Sequence, residues 1–82
     1  MTTVTFYHSM ICPRCHAAGL WLRQLLPEFP QIQVEQVELL TNLGRARREG
    51  VPRIPTLIAG EQRLTGFILT KGRIRRFLET LP

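Results

Sequence analysis

Two cysteines stand three positions apart in Cys12-Pro13-Arg14-Cys15, and the chain has no others. Such a pair can be a staple, half of a soft-metal site, or a dithiol that exchanges with disulfides. A disulfide stabilises chiefly by closing a long loop in the unfolded chain. A bond across two intervening residues closes a very small ring and constrains little, so the staple is a poor reading. Metal ligation and redox exchange remain.

The segments around the pair predict how it is held. Residues 3–7 read as a first strand, with Val4 and Phe6 on one face. Ser9 to Ile11 form a loop, and a helix begins at Pro13, where a missing N–H costs nothing because a first-turn N–H has no partner. Ala18, Trp21, Leu22, Leu25 and Leu26 keep helical spacing, and Pro27 and Pro30 end the run. Ile32 to Val37 read as a second strand. Thr41 is expected to cap a short helix through Arg48, with Leu43 and Ala46 inward and Gly50 just past its end. Thr56–Ala59 and Gln62–Thr65 read as strands joined at Gly60-Glu61. Thr70 caps a last helix in which Ile74, Phe77, Leu78 and Leu81 face inward. The order βαβαββα predicts an α/β domain over residues 1–82. A strand–helix–strand unit gives a right-handed parallel crossover, and a tight turn gives an antiparallel pair. The expected product is a four-stranded mixed sheet with helices on both faces and the first strand inside.

This arrangement makes the thiols reactive. Cys12 falls at the N-terminus of the helix and Cys15 one turn deeper on the same face. Unpaired N–H groups and the positive end of the helix dipole stabilise a thiolate at Cys12. Arg14 adds a positive charge. Such settings lower a thiol pKa from ~8.5 to roughly 3.5–7.5. Cys12 is then the expected exposed nucleophile and Cys15 the thiol that resolves the mixed disulfide in a fast intramolecular step. His8 and His16 flank the site as proton shuttles, or as partly exposed polar residues with no such role.

Composition narrows the setting. Net charge is +5, ten of the eleven basic residues are Arg, and Asp is absent. A nucleic-acid surface needs a basic stripe interleaved with exposed aromatics. Phe6, Phe29, Phe67 and Phe77 instead read as core, so the charge reads as a solvated basic face, with no nucleic-acid partner expected. Arg73, Arg75 and Arg76 belong to that face. No stretch approaches the roughly 20 apolar residues of a membrane span. The start of the chain does not read as a secretory leader. A cytoplasmic monomer is expected, where a Cys pair is more often catalytic or metal-binding than structural.

The chain as a whole resembles the thioredoxin-like superfamily, near its thioredoxin and glutaredoxin branches. Tyr7-His8-Ser9-Met10-Ile11-Cys12-Pro13-Arg14-Cys15 is similar to the glutaredoxin active-site segment with its CPxC motif. Val51-Pro52-Arg53-Ile54-Pro55-Thr56-Leu57-Ile58 resembles the cis-proline segment, and Thr70–Leu78 the start of the thioredoxin C-terminal helix. The resemblance implies a cis Ile54–Pro55 bond beside the sulfurs, and a backbone at Ile54 that pairs with an extended substrate. It implies thiol–disulfide exchange on disulfide-bearing proteins or small disulfides, with Pro13, Arg14 and Pro55 supporting the two cysteines. It implies no resident metal or cofactor.

The departures from the family concern the electron donor, which is either a reductase or glutathione. Glutaredoxins usually carry a Lys three residues before the first Cys, an aromatic within CPxC, and Gly-Gly followed by Asp. Here those positions hold Ser9, Arg14 and Thr65-Gly66 followed by Phe67-Ile68-Leu69. Arg14, Arg53 and Gly66 are the candidates for replacement substrate or glutathione contacts. Thioredoxins carry a buried Asp in the first strand, and here Phe6 stands there, leaving water or a histidine to take the proton of Cys15. A protein dithiol–disulfide oxidoreductase is the leading expectation, and a glutathione-dependent glutaredoxin is the alternative. Met10-Ile11-Cys12-Pro13-Arg14-Cys15 also resembles the MxCxxC loop of heavy-metal-associated domains, which would bind Cu(I) or Zn(II). Those domains run βαββαβ and end in a strand. An Fe–S cluster held by Cys12 and glutathione is a further use of the same thiols.

Overall fold

Alternation along the first strand decides the architecture. In a strand successive side chains point to opposite faces. In β1 (Thr2–His8), Val4 and Phe6 therefore face one way and Tyr7 the other, and all three are buried. A strand apolar on both faces needs cover on both, which places it inside the sheet. The computed structural model, which describes residues 1–82, has β1 inside a four-stranded sheet of order β2-β1-β3-β4. β2 (Ile32–Glu38) runs parallel to β1, with Thr2 opposite Ile32 and His8 opposite Glu38. β3 (Thr56–Ala59) is antiparallel to β1, with Phe6 opposite Leu57. β4 (Gln62–Thr65) is antiparallel to β3, and Gly60 turns the chain between them at φ 61°. That left-handed conformation suits a residue with no Cβ.

Three helices complete the fold. α1 (Pro13–Leu25) buries Cys15, Ala18, Leu22 and Leu25, a 3-4-3 spacing that keeps one face inward. A 3-10 turn at Leu26–Glu28, with Pro27 inside it, ends the helical run. α3 (Lys71–Glu79) buries Ile74, Phe77 and Leu78 and is capped by Thr70, whose hydroxyl oxygen accepts from the Arg73 N–H at 3.2 Å. Both helices pack on the Val4–Phe6 face in a core that includes Leu57 and Leu69. α2 (Leu43–Arg48) covers the opposite face, where Ala46 packs with Tyr7, Val37 and Ile58. Gly50, at φ 67°, follows its end. Burial of such side chains, ~1.5–3 kcal/mol each, is the main force that fixes β1 and therefore the loop at its C-terminal end. No helix is long and apolar enough to cross a membrane.

Two local expectations are corrected. Asn42, not Thr41, occupies the N-cap of α2 and makes no capping bond to the helix. The Thr41 hydroxyl is directed back to Glu38, and the Asn42 amide donates to the Glu38 carbonyl oxygen at 2.8 Å. Leu43, expected inward, is half exposed, and Ala46 alone anchors this short helix.

Candidate active site

The loop after β1 is a set of local hydrogen bonds that present Cys12. Ser9 is buried. Its carbonyl accepts from the Cys12 N–H at 3.1 Å and its hydroxyl oxygen from the Ile11 N–H at 3.4 Å. From the end of β2, Glu38 accepts the Met10 N–H at 3.4 Å and the Thr41 N–H at 3.0 Å. Desolvation works to raise its carboxyl, but these N–H bonds outweigh it and hold the group below the usual range. Glu38 thus ties the site loop to the sheet. Nothing in the sequence marks it, because a lone Glu at a strand end reads as solvent-facing.

Cys12 is the N-cap of α1, with extended backbone at φ −103° and ψ 109°. Its sulfur accepts from the Cys15 N–H at 3.3 Å, and the Cys15 and His16 N–H groups both reach the Cys12 carbonyl at 3.1 Å. Cys12 is 8% exposed and Cys15 2% exposed. The expectation of an exposed Cys12 is therefore corrected: loop and helix cover most of it, and it is simply the outer member of the pair. Both thiols are free. Burial works to raise the Cys12 pKa. The thiol and N–H of Cys15 and the Arg14 guanidinium oppose it more strongly, so Cys12 lies below the ordinary thiol value. Cys15 goes the other way. Burial and the neighbouring Cys12 push it up to about 12, against a smaller pull from the Ser9 backbone and Arg14. A hydrogen-bonded pair pushed apart in this way has one member suited to ionise and one suited to stay protonated.

The remaining residues singled out in the sequence divide into two groups. The Ile54–Pro55 peptide is cis, and Pro55 is buried. Arg53 is exposed and Ile54 half-buried, and both line a groove of about 420 Å³ with Arg14, Pro52 and Phe67. Gly66 lines no groove. Gly66 packs against Arg73, whose guanidinium sits 3.1 Å from where a Cβ at Gly66 would be. Phe67, read as core, is corrected: it is 67% exposed and carries Arg14 on its ring. Ile68 is 60% exposed beside it. Pro13, Arg14, Trp21, Ile68 and Thr70 line a second groove, also about 420 Å³.

Both histidines fall on the Cys15 side. His8, Ser9, His16, Arg23 and Cys15 line a cleft of about 370 Å³. His16 Nε2 lies 2.7 Å from the Met10 carbonyl oxygen. A carbonyl can only accept, so Nε2–H donates, and in the neutral ring Nδ1 is left as an acceptor. His8 stacks on Phe6 with ring centroids 5.2 Å apart.

No family model matches the chain, and no curated protein matches it in sequence. Solved structures do match in fold. Mitochondrial thioredoxin 3 from Saccharomyces cerevisiae superposes with a TM-score of 0.80 at 18% identity, over 98% of this chain and 78% of its own. A mutant thioredoxin from Halobacterium salinarum gives 0.81 at 19% identity, over 96% and 73%. A malarial protein gives 0.81 at 19% identity, over 98% and 96%. The fold of this chain is the thioredoxin fold, with a CxxC pair at the start of its first helix.

Proposed function

We propose that this protein is a dithiol–disulfide oxidoreductase with Cys12 as nucleophile and Cys15 as resolving thiol. The thioredoxin fold with its Cys pair supports thiol–disulfide exchange in general. The observation that carries the assignment of roles is the helix-capping Cys12 sulfur, 3.3 Å from the Cys15 N–H and lowered in pKa, with a protonated Cys15 behind it.

The Cys12 thiolate attacks one sulfur of a substrate disulfide. The other substrate sulfur leaves as a thiolate and takes a proton from solvent. Cys15 then gives its proton toward the cleft, to His16 Nδ1, His8 or water, and attacks the Cys12 sulfur. The second substrate sulfur departs, and a Cys12–Cys15 disulfide remains. Two electrons have passed to the substrate, and an external dithiol or glutathione must return them. The exchange needs no resident cofactor. By the resemblance to the cis-proline segment, Pro55 is assigned the wall beside the pair, where a residue with no N–H and no metal-ligating atom suits a dithiol. The Ile54 backbone is the docking edge for the substrate.

Reduction of a peptide disulfide by wild type, Cys12→Ser and Cys15→Ser tests the reading. Wild type turns over, Cys12→Ser is inactive, and Cys15→Ser stops at a mixed disulfide visible by mass. Wild-type activity no greater than that of Cys12→Ser overturns it. Tight stoichiometric Cu(I) binding without reductase activity supports a soft-metal carrier instead. For the donor, we favour a thioredoxin-reductase-type system over glutathione, because Ser9 is buried in the turn and Gly66 is packed against Arg73. Recycling the oxidised protein with each system separates the two.

A further inference from the structure

We propose that the groove between Arg14 and Arg53, with Ile54 in its wall, selects polypeptide disulfides whose cysteine is flanked by carboxylates. This rests on the exchange reading above and adds the substrate class. Arg14 and Arg53 line the groove with Pro52, Ile54 and Phe67, and no acidic residue lines it. Elsewhere in the molecule arginines that approach an acid are paired: Arg45 with Glu35 and Glu49, and Arg75 with Glu28. Arg14 spends one donor on the Phe67 carbonyl, and Arg53 makes no side-chain hydrogen bond at all. Of the other glutamates, Glu38 is committed to backbone N–H groups, Glu61 is in the β3–β4 turn and Glu79 ends α3. The charge of Arg53 is therefore unanswered within the chain, and that of Arg14 is met only by the Cys12 thiolate and the Phe67 carbonyl.

The form of the groove favours carboxylate over a diffuse anion atmosphere. A guanidinium presents a planar fork of donors that matches a carboxylate. Stacking on Phe67 fixes Arg14 beforehand, so less freedom is lost on binding. Phe67, Ile54 and Pro52 form apolar walls, which strengthen an ion pair relative to open surface. An extended segment that lays its disulfide at Cys12 and its backbone along Ile54 brings flanking side chains between the two arginines.

The experiment is single-turnover reduction by the reduced protein, followed by stopped flow, which needs no electron donor. Three matched peptide disulfides carry Glu, Gln or Lys on both sides of the cysteine. Hydroxyethyl disulfide serves as a small neutral control. The Glu peptide is expected to react about tenfold faster than the Lys peptide, with Gln between, a ratio consistent with a few partly exposed charge contacts. The ratio shrinks at 1 M salt. Arg53→Gln brings it toward one, and Arg53→Glu, whose added charge Arg14 balances, abolishes it. Rates within twofold across the three peptides, or a ratio indifferent to both variants, overturn the proposal. So does a loss of rate in Arg53→Gln seen with oxidised glutathione, run as a fifth substrate, and with none of the peptides, which assigns the arginines to that tripeptide. A wild type that reduces neither the control nor any peptide overturns the exchange reading itself, whereas a wild type active on the control alone overturns only the substrate class.

Discussion

The guanidinium carbon of Arg14 lies 3.9 Å from the centroid of the Phe67 ring, and Arg14 Nη1 donates to the Phe67 carbonyl oxygen at 3.2 Å. The residue between the two cysteines is thus anchored to the loop between β4 and α3, which is far from it in sequence. The positive charge beside Cys12 is held in place rather than left to sample solvent. A cation–π contact of this kind contributes ~0.5–1 kcal/mol at an exposed site, enough to bias one position of a long side chain.

Removing that charge should weaken the acid at Cys12 and change the pH dependence of attack. In Arg14→Gln the thiol ionises at higher pH, so at low pH the thiolate fraction falls. The remaining thiolate is more nucleophilic, because reactivity rises with basicity with a coefficient of ~0.4–0.5. Each tenfold weakening of the acid therefore slows the reaction only about threefold at low pH. Above both pKa values the variant is faster by a similar factor, about threefold per tenfold weakening. Alkylation rates and thiolate absorbance measured against pH should give two curves that cross. Superimposable curves would remove Arg14 from the activation of Cys12.

Much of this site can be read from residue types, and its blind spots have physical causes. Cys12 as helix cap follows from Pro13 at a first turn, and α1 follows from the spacing of Ala18, Leu22 and Leu25. The parallel β1–β2 pair follows from one crossover and the antiparallel β3–β4 pair from one tight turn, whereas the antiparallel docking of β3 on β1 has no local signal. Phe67 is hard to place because an aromatic in a short apolar run looks the same whether it fills a core or supports an arginine. Only Leu69, two residues on, enters the core. The start of α2 is equally hard to place, because six residues with one buried side chain carry almost no periodic signal. The cleft joining Cys15 to His8 and His16 depends on how β1 and α1 diverge, which no local pattern encodes.

Tyr7→Phe should leave the protein as stable or make it more so. The Tyr7 side chain is fully buried under α2, and its hydroxyl has no hydrogen-bond partner. An unsatisfied buried hydroxyl carries a desolvation cost of ~1–3 kcal/mol with nothing to offset it. Removing it while keeping the ring should raise stability by up to about 1 kcal/mol in urea unfolding, with an unchanged m-value. A loss of about 1 kcal/mol or more would show that the hydroxyl reaches Glu49 or Arg45, which both influence its ionisation.

The reduced protein should lose stability in alkali because of Cys15. Its thiol is pushed up to about 12 in the fold from an ordinary value of 9.0. Between these limits the unfolded chain has lost the proton and the folded chain retains it. The unfolded state binds fewer protons, so stability falls as pH rises through that window. Tyr7, also raised in the fold, acts in the same direction. The contribution of Cys15 is therefore the difference between wild type and Cys15→Ala, and the variant should show the shallower decline in melting temperature above about pH 9. Parallel declines would mean that Cys15 is not held protonated by the fold.

The same protonated Cys15 sets the demand on His16. Before it can attack Cys12, Cys15 must lose a proton, and the first strand offers Phe6 where an acid would take it. The groups that share its cleft are His8 from β1, Arg23 and His16 from α1, and the neutral Gln36 from β2. Arg23 cannot accept a proton, so the histidines and water remain. With its Nε2–H fixed on the Met10 carbonyl, His16 has Nδ1 free to accept. His16→Gln keeps a donor for that carbonyl and removes the base. The mixed disulfide should then persist, and its resolution should depend on hydroxide, rising about tenfold per pH unit through the neutral range. Wild type should respond less steeply over the same range. His8→Gln distinguishes the two rings, since a shared relay slows in both variants and a direct one only in His16→Gln. Resolution rates that match wild type at every pH in both variants would leave water as the only acceptor.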